Sequence, residues 1–300
     1  MTHKPKKSLG QNFLKSISAL NKIVEAGEIS KDDTILEIGP GKGILTEKLL
    51  EKASCVIAVE KDHKLFLFLQ EKFSNQIKLG ILILVHGDIL KINITEILQN
   101  IKYKIIANIP YNITGAILKK FLTGVNQPEM MVLMLQNEVA KRICGANPAS
   151  LKPRRAKESI LSISVKAYGE PKIIMKVPAR YFSPAPKVDS AVILIKNISR
   201  NIFVENKIDL VRDREGSQRA SISNGVDEKQ FWKLIHAGFA HKRKKLSSNL
   251  KIYLGKTSVD SVELLGNKRA EELTLANWIN LAKTIDINKK RVAKIHYRVL

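Results

Sequence analysis

A chain of 300 residues at 44% apolar content can bury one large core, or a core and a smaller companion domain. Charged residues make up 26% of it, which excludes wholesale disorder, while 51 Lys and Arg against 28 Asp and Glu leave a net charge of +23. A surplus of that size points to a polyanionic partner, nucleic acid first. The longest apolar runs, Ile81–Val85 and Met130–Leu135, fall well short of the ~18 residues of a transmembrane helix. The opening stretch, MTHKPKKSLGQNF, has no apolar secretory region. Cys55 and Cys144 form no CxxC and the six His lack ligand spacing, which argues against a disulfide scaffold and a metal site. The expectation is a soluble, cytoplasmic, monomeric protein with no membrane partner.

Along the chain, short β-rich runs alternate with segments of helical period. Strands are expected at Thr34–Ile38, Cys55–Glu60, Ile81–His86, Tyr103–Asn108, Met130–Gln136, Lys172–Val177 and Ala191–Lys196. Helices are expected at Gly43–Lys52, Asp62–Phe73 and Thr114–Leu122. The alternation predicts an α/β fold, a parallel sheet with right-handed crossovers. The last two strands are separated by Pro178, Pro184 and Pro186 and predict an antiparallel hairpin at one end of the sheet. Polar text follows from 199 to 227 and reads as a linker or insertion. Helical patterns then occupy Glu228–Leu250, Val259–Leu264 and Arg269–Ile285, with a basic tail over 289–300. The expected domains are 1–198 (with a basic segment over 1–24) and a small all-α domain over 228–300.

Strand 34–38 runs into Glu37-Ile38-Gly39-Pro40-Gly41-Lys42-Gly43, at the carboxyl edge where such sheets bind ligands. Leu36 and Gly43 stand where a Walker loop needs Gly and Ser/Thr, so that reading fails. The G-x-G-x-G spacing also fits a dinucleotide loop poorly. Gly39 and Gly41 let the backbone approach a ligand, and Glu60, closing the next strand, can accept hydrogen bonds from two ribose hydroxyls. Asp88 closes the third strand, where an adenine amine could be read, and Asn108 closes the fourth. Together these describe a nucleoside-shaped pocket.

Asn108-Ile109-Pro110-Tyr111 stands where catalytic residues of such a sheet belong. Methylating an exocyclic adenine amine needs acceptors aimed at its N–H bonds, because the nitrogen lone pair is delocalised into the ring. The Asn108 side-chain oxygen and the backbone carbonyl of Ile109 can serve, Pro110 fixes the backbone between them and the base, and Tyr111 offers a stacking face. The bland alternative is a Pro-terminated strand with a half-buried Tyr.

Four separated motifs carry a resemblance. Ser8-Leu9-Gly10-Gln11-Asn12-Phe13-Leu14, the glycine loop, Asn108–Tyr111, and Tyr181-Phe182-Ser183-Pro184-Ala185-Pro186-Lys187-Val188-Asp189-Ser190 together resemble the ribosomal RNA adenine N6,N6-dimethyltransferase family, closest to its bacterial small-subunit branch. The resemblance runs from about Lys4 to Ile285. It implies a Rossmann-like seven-stranded methyltransferase sheet using S-adenosyl-L-methionine, a small C-terminal helical domain, and dimethylation of two adjacent adenosines near the 3′ end of 16S rRNA within a pre-30S particle. Carried onto matching positions, it implies cofactor contacts at Asn12, Leu14, Gly39, Gly41, Glu60, Asp88 and Asn108. It also implies a second stacking ring at Phe182, facing Tyr111 across a flipped base. The chain departs from the family pattern at Arg154–Ser159 and in the length of 205–227.

Lys and Arg gather in three acid-free clusters: 1–24 (Lys4, Lys6, Lys7, Lys15, Lys22), 139–157 (Lys141, Arg142, Lys152, Arg154, Arg155, Lys157), and Lys242-Arg243-Lys244-Lys245. RNA phosphates are the expected partner, with Lys141, Arg142, Arg154, Arg155 and 242–245 foremost. Competing readings are a large-subunit rRNA dimethylase, which shares N-I-P-Y, a non-catalytic RNA- or DNA-binding assembly factor, and an NAD-dependent oxidoreductase.

Overall fold

A computed structural model describes residues 5–6, 9–98, 101–145, 157–203, 210–212, 218–220, 225–254 and 266–296. The chain divides into two compact units, Met1–Cys144 with Tyr168–Ser199, and Gly145–Ala167 with Arg200–Leu300. This division differs from the expected 1–198 and 228–300 in assigning 145–167 to the second unit.

The first unit is built on a seven-stranded sheet. In chain order its elements are β1 (Phe13–Leu14), α1 (Ile17–Ala26), β2 (Thr34–Ile38), α2 (Ile44–Leu50), β3 (Cys55–Glu60), α3 (His63–Lys72), α4 (Ser74–Lys78), β4 (Leu82–His86), α5 (Ile94–Leu98), β5 (Tyr103–Asn108), α6 (Thr114–Leu122), β6 (Met130–Gln136), α7 (Asn137–Cys144), β7 (Glu170–Val177), β8 (Phe182–Ser183) and β9 (Ser190–Lys196). The order across the sheet is β4-β3-β2-β5-β6-β9-β7. β2 to β6 run parallel, as the apolar runs between helical patterns predict, and β2 is buried along its whole length. β9 is antiparallel to both β6 and β7, so the expected hairpin forms with its second strand wedged between the first and the rest of the sheet. Chain order reverses between β2 and β5, which opens a crevice above their carboxyl ends. A separate two-strand ribbon pairs β1 with β8, Leu14 opposite Phe182, and brings the N-terminal segment to that edge.

In the second unit, α8 (Ile160–Lys166) starts from a Ser159/Ser162 capping box, and α9 (Glu228–Gly238), α10 (Leu246–Leu254) and α11 (Leu275–His296) follow. The single helix expected over 228–250 is two helices. Asn249 Nδ2 donates to the carbonyls of Gly238 at 2.6 Å and His241 at 3.2 Å, satisfying the end of α9 where the chain turns. The basic residues Lys242–Lys245 lie exposed in that turn rather than on a helix. The expected tail is helical as far as His296, since α11 continues through it. Within the expected linker, 210–212 and 218–220 pair as an antiparallel ribbon, while 204–209, 213–217 and 221–224 lie outside the described residues, as does the expected helix at 259–264.

Trp278 is fully buried, and a Cβ on Gly238 would stand 2.3 Å from its ring. Gly238→Ala is therefore expected to destabilise the second unit by about 1–3 kcal/mol through overpacking. Both tryptophans, Trp232 and Trp278, belong to this unit, so urea unfolding followed by tryptophan fluorescence reads it selectively.

Candidate active site

The crevice above β2 and β5 is a cavity within the first unit. Asn12, Leu14, Gly39, Gly41, Glu60, Asp88, Asn108, Ile109, Pro110 and Tyr111 all line it, so the candidates for ligand and catalysis converge there with one exception. Phe182 is that exception: its side chain is 2% exposed, packs in the hydrophobic core and is not part of the lining. Its pairing opposite Leu14 on the β1–β8 ribbon turns the ring inward, so it presents no free face to the cavity in this structure.

Gly39, Gly41 and Gly43 all take left-handed φ (68°, 61° and 75°), which folds the loop tightly between β2 and α2. Gly43 is required twice over, because a Cβ there would also meet the Phe73 ring at 2.6 Å. The Glu60 carboxylate holds the loop from below: one oxygen accepts the Gly41 N–H at 3.1 Å, the other the Asp62 N–H at 2.8 Å. Burial, the largest cause, raises its pKa against those backbone hydrogen bonds. Asp62 caps α3 through the Lys64 N–H and clasps the N-terminal segment, accepting Gln11 Nε2 at 3.2 Å and Lys6 Nζ at 2.9 Å. That segment lies along the cavity as Leu9–Leu14.

Asp88 accepts Lys61 Nζ at 2.9 Å and the Leu90 N–H at 3.0 Å, and the Lys61 bond is the main cause that holds its carboxyl below the usual range. Asn108 Nδ2 donates to the Asn12 carbonyl at 3.2 Å, and its Oδ1 has no partner among the described residues. The Ile109 N–H donates to Met134 O and the Pro110 carbonyl accepts Ile113 N–H at 3.3 Å. The tetrad thus keeps a fixed backbone with the Asn108 oxygen available.

Glu37 reads in the sequence only as the start of the loop, yet it lines the cavity at 1% exposure and accepts Thr46 Oγ1 at 2.7 Å. Its signal is a carboxylate inside an otherwise apolar strand, which needs a partner when buried. The clasp between Gln11 and Asp62 also escapes sequence reasoning, because a contact across 51 positions leaves no local pattern.

Of the basic clusters, Lys141 and Arg142 lie exposed on α7, whose Ala140 and Ile143 face inward. Arg154, Arg155, Lys152, Lys4 and Lys7 lie outside the described residues. The first cluster is less free than its acid-free text implies. Lys6 is paired to Asp62, and Lys22 to Glu25 at 2.6 Å. No helix among the described residues is long and apolar enough to cross a membrane.

Burial pushes the Glu37 carboxyl up to about 8 from an ordinary 4.5, opposed by the Thr46 hydrogen bond and aided by the Glu60 charge. The native state then binds a proton that the unfolded state releases, so stability is lost as pH rises from about 4.5 to about 8. Glu37→Gln is expected to remove that component, so that thermal melts of variant and wild type diverge in the variant's favour across this window and run parallel above it.

Comparison with known proteins bears on what this cavity serves. The family described as Ribosomal RNA adenine dimethylase matches residues 2–286. Ribosomal RNA small subunit methyltransferase A of Dehalococcoides mccartyi strain 195 is 39% identical over 284 residues, spanning 92% of this chain and 87% of its own. The protein of the same name from Rippkaea orientalis is 34% identical over 298 residues, spanning 94% and 98%. Among solved structures, a dimethyladenosine transferase from Plasmodium falciparum superposes with a TM-score of 0.69 at 24% identity, covering 92% of this chain and 98% of that one. The 23S rRNA methyltransferase ErmE gives 0.65 at 23%, covering 92% and 100%. These last two share the fold with this chain. The chain belongs to the ribosomal RNA adenine dimethylase family.

Proposed function

We propose that this methyltransferase uses S-adenosyl-L-methionine to dimethylate N6 of two adjacent adenosines near the 3′ end of 16S rRNA, acting as a cytoplasmic monomer on a pre-30S particle. The observation that carries the reading is the convergence of Glu60, Asp88 and Asn108 around the glycine loop, beside the Asn108–Tyr111 tetrad. The small-subunit assignment rests on relatives at 34–39% identity that carry that name.

The residues present suit that cofactor. Three carboxyl groups line the cavity: Glu60, Asp88, which is paired with Lys61, and Glu37, which burial keeps protonated at neutral pH; Lys42 lies over the Phe13 ring at 5.1 Å. Such a lining offers hydrogen-bond acceptors to a ligand that carries hydroxyl and amine donors. Glu60 would hold ribose hydroxyls, Asp88 the adenine amine, and the Gly39–Gly41 backbone the remainder. When bound, the cofactor supplies an electrophilic methyl group on a sulfonium sulfur.

The chain's own contribution is to the amine. Asn108 Oδ1 and the Ile109 carbonyl accept its N–H bonds, draw the nitrogen toward tetrahedral geometry and stabilise the positive charge that develops. The Asn12 carbonyl fixes the Asn108 amide, and so the direction of its oxygen. Tyr111 offers its ring to the flipped base. No carboxylate base is required, because the extra proton can pass to water once the methyl is bound.

In this reading 1–198 is the cofactor-binding domain, 199–227 a linker and 228–300 a helical RNA-binding domain. Lys141, Arg142, Arg154, Arg155 and Lys242–Lys245 meet phosphates.

The deciding experiment supplies labelled cofactor and unmethylated small or large ribosomal subunits, followed by mass spectrometry of the digested RNA. Dimethyladenosine in the small-subunit RNA is expected, and label confined to the large subunit would transfer the assignment there. Asn108→Ala is expected to cut the rate roughly 10²–10³-fold, the usual effect of losing a transition-state hydrogen bond. Calorimetry on the same variant separates any change in cofactor affinity. Reversing the charge of Lys242, Arg243 and Lys244 together is expected to weaken RNA binding and flatten its salt dependence by roughly 0.7–0.9 log units for each phosphate no longer neutralised. Cofactor affinity should stay unchanged, and an unaltered salt slope would mean the turn is merely solvated.

A further inference from the structure

The Pro-rich motif ends in Val188-Asp189-Ser190, and the proposed chemistry makes no use of these residues. Their geometry is tightly specified. Asp189 Oδ1 accepts the Ala179 N–H at 2.9 Å, Oδ2 pairs with Lys176 at 2.7 Å, and the Asp189 carbonyl accepts the Asn137 N–H at 3.0 Å. Ser190 follows at the head of β9, fully buried and in register with Gln136 on one side and Val177 on the other. A hydroxyl buried at the start of a doubly paired strand has little freedom and needs a partner.

That partner is the Tyr111 phenol, with Ser190 Oγ 2.6 Å from it across 79 positions of sequence. At the other end of the same residue, Thr114 Oγ1 donates to the Tyr111 carbonyl at 3.1 Å. Tyr111 is thus held at its backbone and at its para position while its ring lines the cavity. With the hydroxyl committed to Ser190, what the side chain offers a ligand is its face. Burial, the larger cause, raises the phenol's pKa against the Ser190 hydrogen bond, consistent with a ring that stays neutral.

We propose that Ser190 is a positioning residue that sets the height and tilt of the Tyr111 ring, and that this setting matters most for the second methyl transfer. The inference rests on the reading that the target base stacks on Tyr111. In the first transfer the amine has two N–H bonds, and a small error in the base plane can be absorbed by rotation. In the second, one substituent is already a methyl group that must be turned aside, which leaves a narrower range of base positions in which the lone pair faces the incoming methyl. A ring released from Ser190 would swing about the Cα–Cβ bond, shift its face and widen the distribution of base positions.

The test uses the full chain with unmethylated small ribosomal subunits and labelled S-adenosylmethionine, and compares Ser190→Ala, Tyr111→Phe, the double variant and Tyr111→Ala. Readouts are the ratio of mono- to dimethyladenosine, kcat against KM for RNA, cofactor Kd and melting temperature. Each of the first two variants is expected to slow the second methylation about two- to tenfold, the range for removal of one hydrogen bond, and to accumulate monomethyladenosine at unchanged cofactor Kd. The double variant should be no worse than either single, because each single leaves one buried hydroxyl unpaired. A Ser190→Ala protein with lowered melting temperature but a wild-type product ratio would reduce Ser190 to a structural role and overturn the proposal. Independent, multiplicative effects of the two substitutions would overturn it as well. Tyr111→Ala separates the two levels. If it is slow while Ser190→Ala is normal, the latch alone fails; if it methylates at the wild-type rate, stacking on Tyr111 fails and the latch with it.

Discussion

The Glu60 carboxylate accepts the Gly41 N–H through one oxygen and the Asp62 N–H through the other, and the organisation of the cavity follows from that pair of bonds. The first bond fixes a loop that three left-handed glycines would otherwise leave free to move. The second sets the entry of α3, whose capping Asp62 then clasps Lys6 and Gln11. One buried carboxylate thereby connects the glycine loop, the third strand and the N-terminal segment. The energetic reason is ordinary: a carboxylate at 5% exposure is costly unless its oxygens find donors, and backbone N–H groups supply them at no entropic cost in side chains.

The basic surplus is concentrated on the exposed surface rather than in the cavity. A chain of net charge +23 lines the cavity beside its glycine loop with Glu37, Glu60 and Asp88 and pairs Asp88 with Lys61. The exposed Lys141, Arg142 and 242–245 remain available to a polyanion. Added salt is therefore expected to act strongly on the outer interaction and weakly on the enclosed one, since screening reaches exposed charges first.

Much of this architecture is legible in the sequence because its signals are local. The apolar runs of β2, β3, β5 and β6 read correctly to the residue, since a strand covered on both faces has no other composition available. The glycine loop, Asn108 and Tyr111 are legible for the same reason, each standing at a strand end. What escapes is non-local. The insertion of β9 between β6 and β7 depends on pairing partners far apart in the chain, and the stacking role that the resemblance implies for Phe182 takes no account of its burial opposite Leu14. The helical rhythm of 228–250 hides a turn that Asn249 closes from eleven residues away. Glu37 is visible as a letter, but its burial is not.

The wedge strand has a consequence for the order in which the polypeptide can complete itself. β6 is entirely apolar up to Gln136, and its outer edge is covered by β9, which begins only at Ser190. Between them the chain makes 145–167, which belongs to the other unit. At about 5–20 residues per second, that edge stays unpaired for roughly 3–12 s during synthesis. Over this interval the nascent protein presents a long, flat, hydrophobic strand edge, the feature most prone to pairing with another chain. This rRNA adenine dimethylase thus carries, in the order of its own strands, a period in which shielding of the emerging chain would matter most.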